Sequence, residues 1–158
     1  MSVPSENNRF ELVDGLFCKL DDKVQSMGVA SLSAEERVVY FTWAALGVVG
    51  NGSFQYFFEN KMDANATAQS FQEIGLTVTA ECFRLAKSFL PEEYDSVDWN
   101  RQLRLLQEHE ASFDALAQKV LADRKQTEAR LADYISTQPN LARLANGEIE
   151  CQVISLPP

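Results

Sequence analysis

Apolar residues recur at steps of three and four through most of the chain, which is the spacing of amphipathic helices. Phe10, Val13, Phe17, Leu20, Val24 and Met27 form the first stripe, and Asn8 with Glu11 supplies a start for it. Ser33 and Glu36 predict a reciprocal capping box at the next start. From Val38 to Val49 the apolar side chains Val38, Val39, Phe41, Trp43, Leu46 and Val49 surround the helix, so it is expected to run through the core.

Gly50-Asn51-Gly52 is expected to stop that helix, because glycine and asparagine readily adopt the left-handed conformation that closes a C-terminus. A short aromatic helix, Ser53 to Asn60, follows. Further helices are predicted from Asp63 to Gly75 and from Thr79 to Leu90, and Pro91-Glu92-Glu93 reads as a first helical turn with proline at its tolerated position. Helical spacing resumes at Val97, Leu103 and Leu106, then at Phe113, Leu116, Val120 and Leu121, then at Leu131, Tyr134 and Ile135. The polar run Asp123 to Glu128 lacks glycine and proline, which favours one long helix with a kink over two helices. Pro139 ends it. Ile149, Cys151 and Val153 alternate with polar residues but have no partner strand, so an extended tail is expected. The fold class is therefore all-α: one compact domain, 1–145, of six to eight helices, with a short extended C-terminal tail over 146–158.

Charge narrows the function. The 158 residues carry 14 Lys and Arg against 23 Asp and Glu, net −9. Such a surface repels phosphate backbones, so direct nucleic-acid binding is not expected. Residues 1–95 hold 14 acidic and 7 basic side chains, net −7, while 96–158 hold 9 and 7, net −2. The excess therefore lies in the N-terminal part. If the early helices lie beside the Pro91 segment, then Asp14, Asp21, Asp22, Glu35, Glu36, Glu92, Glu93, Asp95 and Asp98 would line an acidic surface able to attract a basic protein. The opening residues show no signal-peptide pattern and no apolar run approaches the roughly 20 residues a bilayer needs, which predicts a cytoplasmic protein without a membrane partner.

Catalytic material is sparse, and no enzyme, cofactor or metal site is expected. The lone histidine, His109, sits in a polar stretch and is read as a solvated surface group. Cys18, Cys82 and Cys151 lack ligand spacing and are read as reduced, buried packing residues. The pairs Asp21-Asp22, Glu35-Glu36 and Glu92-Glu93 point about 100 degrees apart on a helix and cannot share one substrate face. The dense aromatics Phe54, Tyr56, Phe57 and Phe58 read either as core on several sides or as anchors for a partner or second copy. Asn51 and Asn60 are expected to cap local backbone.

The run Asn51-Gly52-Ser53-Phe54-Gln55-Tyr56-Phe57-Phe58-Glu59-Asn60, after Glu36-Arg37-Val38-Val39-Tyr40 and before Phe71-Gln72-Glu73-Ile74-Gly75, resembles the signature of the DNA-mimic-protein-like domain family. The similarity extends through Leu90-Pro91 to Tyr134-Ile135, covering residues 33–138. The pattern usually has Asn-Gly-Gly-Phe, so Ser53 replaces its second glycine, and Gln55 stands one place early. The resemblance implies a bacterial, all-helical, non-enzymatic interaction protein. One member is an acidic dimer that imitates DNA on the DNA-binding surface of a transcription factor, and others look like immunity or accessory proteins. It assigns Asn51, Gly52, Phe54, Tyr56, Phe57, Phe58 and Asn60 a mainly structural role. A domain of this size spans roughly 40 Å, over which duplex DNA carries about 23 phosphates. One subunit at −9 falls short of that, so the mimic reading requires a homodimer. The alternative is an immunity-type protein that binds its partner through the aromatic segment.

Overall fold

Ser33 and Glu36 form the expected box: Ser33 Oγ accepts from the Glu36 amide at 3.2 Å, and Glu36 Oε2 accepts from the Ser33 amide at 2.9 Å. The helix they start, α2, runs over Ala34–Glu59. In the computed structural model, which describes residues 6–151, it is preceded by α1, Glu6–Met27. It is followed by α3, Ala64–Glu73; α4, Thr77–Ser88; α5, Trp99–Glu108; α6, Glu110–Ala122; α7, Arg124–Thr137; and α8, Pro139–Ala145. Short 3-10 turns occupy Val29–Ser31 and Glu92–Ser96, and there is no strand among the described residues. The architecture is all-α.

Helix α2 is central, as its all-round apolar pattern requires. It packs against α1, α3, α5, α6 and α7, and Val38, Val39, Phe41, Trp43, Leu46 and Val49 are all buried on it. The stop expected at Gly50-Asn51-Gly52 falls at the last of these residues, and not through a left-handed glycine or asparagine, since Gly52 has φ −162°. Helical geometry continues past Gly50 and Asn51 and breaks at Gly52 (φ −162°, ψ 29°) and Ser53 (φ 62°, ψ −167°). The left-handed residue is thus Ser53, at the position where the resembling pattern carries glycine. The break re-aims the next turn so that Phe54, Phe57 and Phe58 enter the core. Phe54 and Phe57 lie 4.9 and 5.3 Å from Phe83 of α4, Phe83 stacks on Phe71 of α3 at 5.1 Å, and Phe58 lies 5.6 Å from Phe113 of α6. Edge-to-face and offset ring pairs of this kind add to the burial of large apolar area. Four helices are joined through one aromatic cluster.

Elsewhere several boundaries move. The buried line of α1 is Val13, Leu16 and Leu20, whereas Phe10 is exposed and Phe17, Val24 and Met27 are half-buried. Asp63 caps α3 by accepting from the Asn65 and Ala66 amides, and α4 begins two residues before Thr79. Pro91 is the residue before the Glu92–Ser96 turn, not its first helical position.

The single long helix expected across residues 113–135 is two helices that meet at Asp123 (φ −90°, ψ 8°). The cause is tertiary. Asp123 Oδ2 accepts from Thr79 Oγ1 of α4 at 3.1 Å, α6 packs on α2 and α4, and α7 turns to pack on α1 and α8. The polar run does not lie wholly in solvent, since Thr127 is fully buried and its hydroxyl donates to the Asp123 carbonyl at 3.0 Å. Pro139 ends α7 and also opens α8, a helix the pattern did not announce. Beyond it Ile149 and Cys151 pack against the core, Cys151 Sγ lying 3.5 Å from the Lys19 carbonyl. Val153 lies outside the described residues.

Candidate functional site

The nine nominated carboxylates fall into two main settings. Along the α1–α2 edge, Asp14 Oδ1 accepts from the Trp43 indole Nε1 at 2.9 Å and Asp21 Oδ1 accepts from the Tyr40 hydroxyl at 3.5 Å. Glu36, besides capping α2, pairs with Lys23 at 2.8 Å. Asp22 is exposed on α1. The Cys18 thiol, one helical turn from both Asp14 and Asp22, is pushed up by partial burial and then by Asp14, Asp22 and Asp21. Burial, then Glu36, likewise raises the Cys151 thiol, with Asp22 a smaller contributor. Glu35 turns toward a cavity of about 360 Å³ between α2, α3 and α7, where Tyr134 is raised by burial and then by Glu35 and Glu73.

The second setting is the segment after α4. Glu92, Glu93 and Asp95 are exposed on the 3-10 turn, and Asp98 caps α5 by accepting from the Arg101 amide at 3.1 Å. Glu92 and Asp95, with Asp63, Lys61 and Lys87, line a cleft of about 760 Å³. Tyr94 is held there by Gln102, whose Nε2 donates to the Tyr94 carbonyl at 2.9 Å. Burial and the neighbouring Asp95 and Glu59 push its phenol up to about 12, so the hydroxyl stays protonated. Helix α1 packs chiefly against α2, α7, α8 and the Val29–Ser31 turn. Asp14 and Asp21 thus line one groove, Glu35 and Glu36 line a cleft with Lys23 and Cys151, and Glu92 and Asp95 line a third.

Of the four motif aromatics, Phe54, Phe57 and Phe58 are core, while Tyr56 is 42% exposed. The Asn60 side chain caps α2 by donating to the Tyr56 carbonyl at 2.8 Å, as expected. Asn51 is exposed and its side chain makes no hydrogen bond among the described residues. Gly52 is required for close approach: a Cβ there would lie 2.5 Å from Tyr56 Cβ.

Two readings of single residues change. Cys18 is exposed, not buried, because it lies off the Val13-Leu16-Leu20 line; Cys82 is buried as expected, and burial raises its thiol. His109 is not simply solvated, since its ring stacks on Phe89 at 5.4 Å with planes 14° apart. Among the described residues no group of three or more His, Cys, Asp and Glu is placed to hold a metal ion, and no helix is long and apolar enough to cross a membrane.

What the charge pattern alone missed is the pairing of acid with aromatic. Phe10, Asp14, Phe17 and Asp21 follow one another at steps of four, three and four, which places them on one face of α1. That face meets Tyr40 and Trp43 of α2. The spacing is visible in the sequence, but the same steps of three and four also fit Phe10 and Phe17 to the buried stripe.

The model of the DMP19-like protein family matches residues 30–138. No curated protein and no solved structure matches the chain. The matched span holds the kink, the aromatic segment and the acids from Glu35 to Asp98, whereas α1 precedes it.

Proposed function

Because the chain belongs to the DMP19-like protein family, we propose that it is a non-catalytic, cytoplasmic interaction protein whose carboxylates occupy the DNA-binding surface of a basic protein, such as a transcription factor. The observation that carries the reading is the uncompensated state of the acids. Of the nine, only Glu36 is ion-paired with another described residue, and the other eight are exposed or half-buried. Uncompensated charge of one sign steers an oppositely charged partner and speeds encounter. A homodimer supplies the charge one subunit lacks and suits a two-fold DNA-binding protein. The raised thiols of Cys18, Cys82 and Cys151 support the non-catalytic part of the reading, because nucleophilic cysteines need depressed values.

The test is capture at low salt from a lysate of the source cells, followed by competition with duplex DNA. A basic protein is expected to be retained and then released by DNA. Tyr56→Ala is expected to leave retention within about twofold, whereas a partner lost on Tyr56→Ala and indifferent to DNA would favour binding through the aromatic segment instead.

A further inference from the structure

We infer that the groove between α1 and α2 is a docking site for two arginine side chains of a basic protein partner. The groove encloses about 690 Å³ and is walled by Phe10, Phe17, Tyr40 and Trp43, with Asp14 and Asp21 at its edge. Phe10 sits 5.8 Å from Trp43 with the planes tilted at 60°, and Phe17 stacks on Tyr40 at 5.6 Å with the planes 21° apart. Phe10 is 41% exposed, so this wall is open to solvent.

Asp14 is oriented by the 2.9 Å bond from Trp43, and Asp21 more loosely by the 3.5 Å contact from Tyr40. Each spends one oxygen on an aromatic donor, Trp43 or Tyr40, and keeps the other for an incoming group. A side chain fixed in this way loses little further freedom on binding. The nearby lysines of α1 do not neutralise them: Lys19 Nζ donates to the Leu144 carbonyl at 2.8 Å, and Lys23 pairs with Glu36 at 2.8 Å. Arg124 joins the lining from the α6–α7 junction and adds one cation there. The open acceptor positions remain those of Asp14 and Asp21.

Aromatic faces beside an oriented carboxylate suit a guanidinium better than an ammonium. Guanidinium is planar and weakly hydrated, stacks on rings and donates from a fork, whereas lysine is a compact, strongly hydrated point charge. The two carboxylates are seven residues apart on one helix face, about 10.5 Å along the axis. Two arginines at positions i and i+3 of a polyproline II segment, which has three residues per turn and rises about 3.1 Å per residue, lie on one face roughly 9 Å apart and match that spacing.

The inference rests on the basic-partner reading and goes beyond it in naming the place and the side chain. It is tested by titrating the isotope-labelled chain at low salt with acetyl-Arg-Gly-Gly-Arg-amide and with its lysine counterpart, following the backbone amide and the two indole N–H signals by NMR. The Trp43 signal is expected to move while that of Trp99 stays, and the lysine peptide is expected to bind several-fold more weakly. Asp14→Asn combined with Asp21→Asn keeps an acceptor for Trp43 and Tyr40, preserving the fold, and is expected to weaken binding about tenfold or more. Glu92→Gln, Glu93→Gln and Asp95→Asn together are expected to change it by less than about twofold. Shifts confined to residues 92–98, or no loss in the Asp14 and Asp21 variant, would overturn the groove and leave the basic-partner reading standing. Binding of neither peptide overturns the groove, while DNA-displaceable capture of a basic protein then decides the broader reading separately.

Discussion

Replacing Phe54 by alanine is expected to lower the free energy of unfolding by about 3–5 kcal/mol. Phe54 is fully buried and lies within 4.9 to 6.4 Å of Phe57, Phe58, Phe83 and Phe113. It is the first residue after the break in α2, so its ring is the point where the re-aimed helix meets α4 and α6. Truncation removes the transfer energy of the ring and leaves a cavity among side chains that cannot easily close, because each is held by other ring contacts. Urea denaturation followed by circular dichroism measures the loss as a lower midpoint at an unchanged slope. A loss below about 1 kcal/mol would mean that the cluster repacks freely and that the kink does not organise it.

Ser53→Gly is expected to act in the opposite direction, stabilising by about 1–2 kcal/mol. Ser53 holds φ 62° and ψ −167°, a region occupied almost only by glycine and costing other residues about 1–3 kcal/mol. Its Oγ is also buried without a hydrogen-bond partner among the described residues. Glycine removes both penalties and gives back part of the gain through the greater freedom of the unfolded chain. Ser53→Ala removes only the hydroxyl, so its gain should be smaller. Gly52→Ala should destabilise, since its Cβ would meet Tyr56 Cβ at 2.5 Å and Cγ at 2.9 Å, close to the backbone where nothing flexible can yield. Differential scanning calorimetry reads the set as an order of midpoints, Ser53→Gly above Ser53→Ala above the parent above Gly52→Ala. A Ser53→Gly midpoint at or below the parent's would show that the backbone there is not strained.

Much of this fold is legible in the sequence where the signal is local. The Ser33 and Glu36 box, the all-round apolar helix after it and the Asp63 start are short-range patterns, and each appears as read. The misreadings share one physical origin, that long-range packing decides between locally equivalent options. Asp123 breaks the helix because Thr79, 44 residues away, binds its carboxylate. Gly50 and Asn51 remain helical, and the break falls at Gly52 and Ser53, the serine in a conformation its residue type disfavours. Leu16 displaces Phe10 from the buried line of α1, a choice set by which face meets α2 and α7. For the candidate site, charge counting found the acids but not their setting. Asp14 and Asp21 differ from Glu92 and Glu93 in being held by Trp43 and Tyr40, and those partners come from a helix whose register against α1 only the tertiary structure defines.

The central claim, that uncompensated carboxylates bind a basic partner, is tested most directly by the affinity of the captured complex as a function of salt, measured by isothermal titration calorimetry. Screening shortens the reach of exposed charges from about 10 Å at 0.1 M to about 3 Å at 1 M. Affinity is expected to fall by tenfold or more between about 0.05 and 0.5 M salt. An affinity unchanged over that range, with the complex retained at about 1 M, would contradict the electrostatic account.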